Sequence, residues 1–86
     1  MGLDSVELVM DFEKAFEIEI PDAIATQMRT PRHVQTFVLE EYARLGRATD
    51  AEAVFRKIQE LTERITNLDT EKIGLDSDFV NDLGLD

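Results

Sequence analysis

Asp4-Ser5-Val6-Glu7-Leu8-Val9-Met10-Asp11-Phe12-Glu13-Lys14-Ala15-Phe16-Glu17-Ile18, read at 100° per residue, puts Leu8, Val9, Phe12 and Phe16 on one side of a helix and Glu7, Asp11 and Lys14 opposite. Leu8, Phe12 and Phe16 therefore read as core. Asp4 is placed as the N-cap, with Glu7 three residues on as a carboxylate variant of the capping box. Val6 and Met10 fall at the edge of the apolar stripe beside Glu13 and Glu17, where their side chains would be partly exposed among acids. That edge is a candidate contact surface.

The rest of the chain continues in the same helical idiom. Pro21 forces Ile20 into extended geometry and ends the first segment, and a short helix is expected over 22–28. Thr30-Pro31 starts another, with Thr30 capping, Val34, Phe37, Val38, Tyr42 and Leu45 on its inner face and Gly46 as its stop. Thr49-x-x-Glu52 reads as a capping box for a helix whose stripe is Val54, Ile58, Leu61 and Ile65, bordered by Phe55. Residues 67–86 have no sustained period. They read as an ordered loop anchored by Leu68, Ile73, Leu75, Phe79, Val80 and Leu83, with a helical turn near 78–82. No strand signal is present, so the expected fold is all-α, a small four-helix bundle with one long ordered loop.

Composition narrows the function. With 86 residues the chain has room for one domain and one modest core, which suits a carrier or binding module better than a self-contained enzyme. Its 19 acids against nine Lys and Arg give a net charge of −10, unfavourable for nucleic acid or anionic membranes and suited to basic protein surfaces. Residues 1–28 hold seven acids against one base and residues 67–86 six against one, so the acidity sits at the two ends of the chain. Cysteine is absent, which excludes disulfides, thiolate nucleophiles and Cys-based zinc sites. Asp76, Asp78, Asn81 and Asp82 lack the spacing, central Gly and distal Glu of a calcium loop, so no metal site is expected. His33, the only histidine, has no nucleophile or metal partner in the pattern and reads as a surface or packing residue. With no long apolar run and no basic region followed by one after Met1, the expected location is cytoplasmic.

Two segments resemble a known family. Gly2-Leu3-Asp4-Ser5-Val6-Glu7-Leu8-Val9-Met10, continued to Glu19-Ile20-Pro21-Asp22, is similar to the second helix of acyl carrier proteins and its exit. Val54-Phe55-Arg56-Lys57-Ile58 and Asp76-Ser77-Asp78-Phe79-Val80-Asn81-Asp82-Leu83-Gly84-Leu85-Asp86 are similar to that family's first helix and the end of its long first loop. The order differs, because in the family that loop runs straight into the second helix. The resemblance implies a circularly permuted single domain over 1–86: 1–46 hold family helices II to IV, 47–50 the connection, and 51–86 helix I with the long loop. It also leaves open a swapped oligomer, in which 51–86 of one copy complete the bundle of another.

The family carries acyl groups as thioesters on a 4′-phosphopantetheine arm attached to a serine at the start of its second helix. The resemblance places that serine at Ser5, preceded by Asp4, and implies no catalytic residues. Aligned instead on Val-Glu-Leu-Val-Met, the attachment position falls on Gly2, and Ser5 becomes a polar residue of the first turn in a scaffold with no prosthetic group. Periodicity does not separate these registers, since three residues is nearly one helical turn. Without the resemblance, Ser5 reads only as a helix-start serine. The implied partners are a phosphopantetheinyl transferase and acyl-transfer or synthase enzymes with basic docking patches. They would be met by Val6, Glu7, Met10, Asp11, Glu13 and Glu17, acids that otherwise read as a solvated face. The acyl chain would lie in an interior lined by Leu8, Phe12, Phe37 and Ile58.

Overall fold

The computed structural model describes the backbone of residues 3–85 and the side chains of residues 6–85. Four helices run in the order α1 (Leu3–Phe16), α2 (Asp22–Ala25), α3 (Pro31–Leu45) and α4 (Ala51–Thr66), followed by a 3-10 turn at Thr70–Lys72. Among the described residues there is no strand, and the chain is the expected all-helical bundle. Helix α4 packs against both α1 and α3, so the second half of the chain closes the core opened by the first.

The core is the set of stripes read from the pattern. Leu8, Phe12 and Phe16 of α1, Val34 and Val38 of α3, and Val54, Ile58 and Leu61 of α4 are buried together. Full burial of side chains such as Ile58 contributes about 1.5–3 kcal/mol each. Phe12 anchors the cluster, with its ring 6.4 Å from that of Phe16 and 6.5 Å from that of Phe79 in the last loop. Phe37 and Tyr42 are half-buried. Leu45, expected on the inner face of α3, is exposed, because the chain turns away at Gly46 before a partner reaches it. Val80, expected as an anchor, is also exposed. Leu85, Ile18 and Ile20 take up burial that the periodicity did not assign. Ile18 and Ile20 alternate with exposed Glu17 and Glu19, the pattern of an extended segment laid on the core.

Several helix ends differ from expectation, each for a local reason. Leu3, the first described residue, is already helical, so Asp4 lies inside α1 and is not its N-cap. It stops at Phe16, well before Pro21, because Glu17 adopts a left-handed conformation with φ 54°. That corner is held from α3 and the connection after it: Tyr42 Oη donates to the Phe16 carbonyl at 2.9 Å and Arg47 donates to the Glu17 carbonyl at 3.0 Å. The Arg47 guanidinium also lies 4.0 Å over the Tyr42 ring. Helix α2 is four residues long and passes into tighter i→i−3 bonds up to Met28 instead of running as an α-helix to 28. Thr30 caps α3 as read, accepting from the His33 amide at 3.3 Å, and Gly46 ends it in the left-handed region at φ 71°. Helix α4 is capped by Asp50, which accepts from the Ala53 amide at 2.8 Å, one residue after the expected Thr49. Glu52 pairs with Arg56 instead of closing a capping box.

The segment after α4 is ordered by long-range bonds. Gln59 donates to the Thr70 and Ile73 carbonyls at 3.1 and 2.9 Å, which fixes the 3-10 turn against α4. Ser77 accepts from the Gly74 amide at 2.9 Å, a structural use of that serine. The expected turn near 78–82 is present, closed by Asp82 and Leu83 amides donating to the Asp78 carbonyl. Asp78 accepts from the Val80 and Asn81 amides, and Asp82 accepts in return from the Asp78 amide at 2.7 Å.

Candidate functional site

The first half of α1 and the last loop meet across an apolar cleft of about 300 Å³. Its walls are Leu8, Val9 and Phe12 from α1, Met28 and Arg29 from the α2–α3 connection, and Phe79, Val80 and Leu85 from the loop. Both arms of the sequence are needed to form it. Leu8 and Phe12 lie where the apolar-interior reading put them. Phe37 does not: it lines a shallow groove between α2 and α3 with Ile24, Met28 and His33. Ile58 is fully buried in the core and does not reach the cleft.

Position 5 lies in α1, one turn before Leu8 and Val9. The side chains of Asp4 and Ser5 lie outside the described residues. Beyond them, α1 shows the expected mixture. Val6 and Met10 are 44% and 49% exposed, Glu7 is exposed, and Asp11 is half-buried. Glu13 and Glu17 are less free than a solvated face would have them. A Glu13 carboxylate oxygen accepts from the Ile20 amide at 2.9 Å, which helps to turn the chain after the helix. Glu17 lies 3.9 Å from Arg47.

The far wall is tied to α3. Arg32 makes a two-pronged pair with Asp76 at 2.8 and 3.1 Å, and its amide donates to the Leu75 carbonyl at 2.9 Å. The Arg32 hydrogen bond holds the Asp76 carboxyl below its ordinary range, and Asp76 in turn raises Arg32. The carboxylates of Asp78 and Asp82 are occupied by backbone amides, and among the described residues no three His, Asp or Glu side chains are grouped to hold a metal ion. Sequence reasoning missed Arg29 and Leu85 as cleft residues. The signal for the loop wall was the Asp78-x-x-Asn81-Asp82 spacing, which suits a side-chain-capped turn as well as it suits any cation loop.

No helix among the described residues is long and apolar enough to cross a membrane. No family model matches the chain, and no solved structure matches it. Curated relatives do. Over 42 residues, 49% of this chain, it is 49% identical to the acyl carrier protein of Caulobacter vibrioides, a span covering 54% of that protein. It is 50% identical over 45 residues to the acyl carrier protein of Phenylobacterium zucineum, covering 52% of this chain and 53% of the relative. With the acyl carrier protein of Guillardia theta it shares 46% identity over 42 residues, 49% of this chain and 52% of that one. The chain thus spans about half the length of the curated relatives it matches. What it is similar to over that half, at close to one residue in two, is the acyl carrier protein.

Proposed function

We propose that the chain is an acyl carrier in circularly permuted order, with 4′-phosphopantetheine attached to Ser5 and acyl groups held as thioesters on the arm's thiol for fatty-acid or polyketide-type synthesis. The observation that carries this reading is the apolar cleft, whose walls begin one helical turn beyond position 5. A chain without cysteine can do thioester chemistry in this way, because the thiol belongs to the arm. The first turn of α1 offers free backbone N–H groups that suit a phosphodiester. Leu8, Phe12 and Phe79 would keep water from the acyl chain.

The permuted order is supported by the sequence of elements, with α4 and the last loop corresponding to the family's opening half. A collinear comparison of a permuted chain also stops at the break, and the matched span is about half of each relative. Exposed Val6, Glu7 and Met10, with Asp11, support docking of α1 on basic patches of a phosphopantetheinyl transferase and of acyl-transfer or synthase enzymes. Glu13 and Glu17 contribute charge at the edge of the same face.

One observation favours a second reading. Because Leu3 is already helical, Ser5 lies inside α1 and not at its cap, which suits the Val-Glu-Leu-Val-Met register with the attachment position at Gly2. In that reading the bundle is a scaffold or interaction module with no arm. Incubation with coenzyme A and a transferase that loads a control carrier, followed by intact-mass and peptide mapping, separates the two. The carrier reading expects an adduct on Ser5 that is lost in Ser5→Ala. An unmodified chain beside a loaded control establishes the second.

A further inference from the structure

We infer that His33, in the groove between α2 and α3, is a pH-sensitive latch that acts on the wall of the cleft through Arg29. His33 is the third residue of α3, after Pro31 and Arg32, and its imidazole turns back over the start of the helix. There the backbone N–H of Arg29 donates to His33 Nδ1 at 3.0 Å. An imidazole nitrogen that accepts carries no proton, so this bond requires the neutral ring with its proton on Nε2.

The Arg29 peptide joins the ring to the loop. On its other side the Arg29 carbonyl accepts from the Phe79 amide at 2.8 Å, and the Phe79 carbonyl accepts from the Leu85 amide at 2.8 Å. Arg29, Phe79 and Leu85 all line the cleft. One imidazole lone pair therefore holds the first link in a chain of bonds that runs along the cleft wall.

Protonation of His33 places N–H against N–H and removes the acceptor. The charged groups around the ring act in both directions. Arg29, Arg32 and the positive end of α3 oppose a second cation there, whereas Glu40 in the same groove and Asp76 on the loop favour it. Ile24, Gln27 and Met28, the groove residues from the α2 side, carry no charge. The loss of the bond on protonation does not depend on the balance of these charges. His33 is the only histidine, so it is the one side chain of a type that ordinarily changes charge between about pH 5 and 8. The bond is present above that titration and lost as pH falls through it. Acidification thus unlatches the 28–30 connection and frees the 78–85 loop to open, whether or not Ser5 carries an arm.

The test is amide hydrogen exchange on the ¹⁵N-labelled chain at about pH 7.5 and about pH 5.5, corrected for the intrinsic pH dependence of exchange. Protection at Arg29 and Phe79 is expected to fall about 5–10-fold at the lower pH, the ratio set by loss of one net hydrogen bond. Amides of Ile58 and Leu61 in α4 should not change. In His33→Gln the amide oxygen can accept from Arg29 and does not titrate, so protection there should be independent of pH. Unchanged Arg29 and Phe79 protection in the unmodified chain overturns the latch, as does an equal loss in His33→Gln.

Discussion

Arg32 and Asp76 stand 44 positions apart in the sequence and meet in a two-pronged pair that fastens the last loop to α3. Both side chains are more than half exposed, so the pair belongs among surface bridges of small worth. Its sign with pH is nonetheless defined. The Asp76 carboxyl is lowered from 3.8, so the pair contributes above the unfolded value and its contribution is lost as pH falls through the lower folded value. Urea unfolding of Asp76→Asn beside the unmodified chain, from about pH 6 down to about pH 2, should show a small stability gap that closes in acid. A gap of constant size across that range would show that the substitution acts through something other than the charge. Neither this pair nor the His33 bond was legible in the sequence. His33 read as a residue without a partner because its partner is a backbone amide, which no residue type announces.

Helices were legible because their faces are periodic, and their ends were less so because an end is chosen by a single side-chain bond. Helix α4 shows the difference. Thr49 with Glu52 three residues on satisfies the capping-box pattern, yet Asp50 takes the Ala53 amide and Glu52 pairs along the helix with Arg56. Asp50→Ala should therefore cost about 1 kcal/mol in urea unfolding, while Thr49→Ala should stay within about 0.5 kcal/mol. The reverse ranking would restore Thr49 as the cap. The end of α1 was misplaced for a tertiary reason, since the Phe16 carbonyl that a longer helix would use is taken by Tyr42 of α3, and the Glu17 carbonyl by Arg47 just beyond α3. The 3-10 turn was illegible for the same reason, being held by Gln59 across the chain. At the candidate site, the apolar face and exposed edge of α1 and the turn that carries Phe79 were readable, but Arg29 and Leu85 were not.

At the scale of the whole molecule, the two acidic ends of the sequence reach one cleft, with Leu8 and Val9 from the first and Leu85 from the last. The peptide link between α3 and α4 is then only one of two places where the same bundle could be joined. Side-chain burial and helix packing do not depend on which link is closed, whereas loop-closure entropy changes slowly with length. The proposed permuted order thus makes a direct prediction. A chain reordered to run from Thr49 through Asp86 into Met1 and on to Ala48 keeps the Asp50 cap, the Arg47 bonds and every buried side chain. It should show the same helical circular dichroism and a cooperative urea transition within about 1–2 kcal/mol of the original. The Phe79 amide should stay protected, since its bond to Arg29 crosses neither break. A reordered chain that is helical but unfolds without cooperativity would mean that the 46–50 connection specifies the packing. The arrangement of α4 after α3 would then be intrinsic to this fold instead of a rearrangement of an acyl carrier.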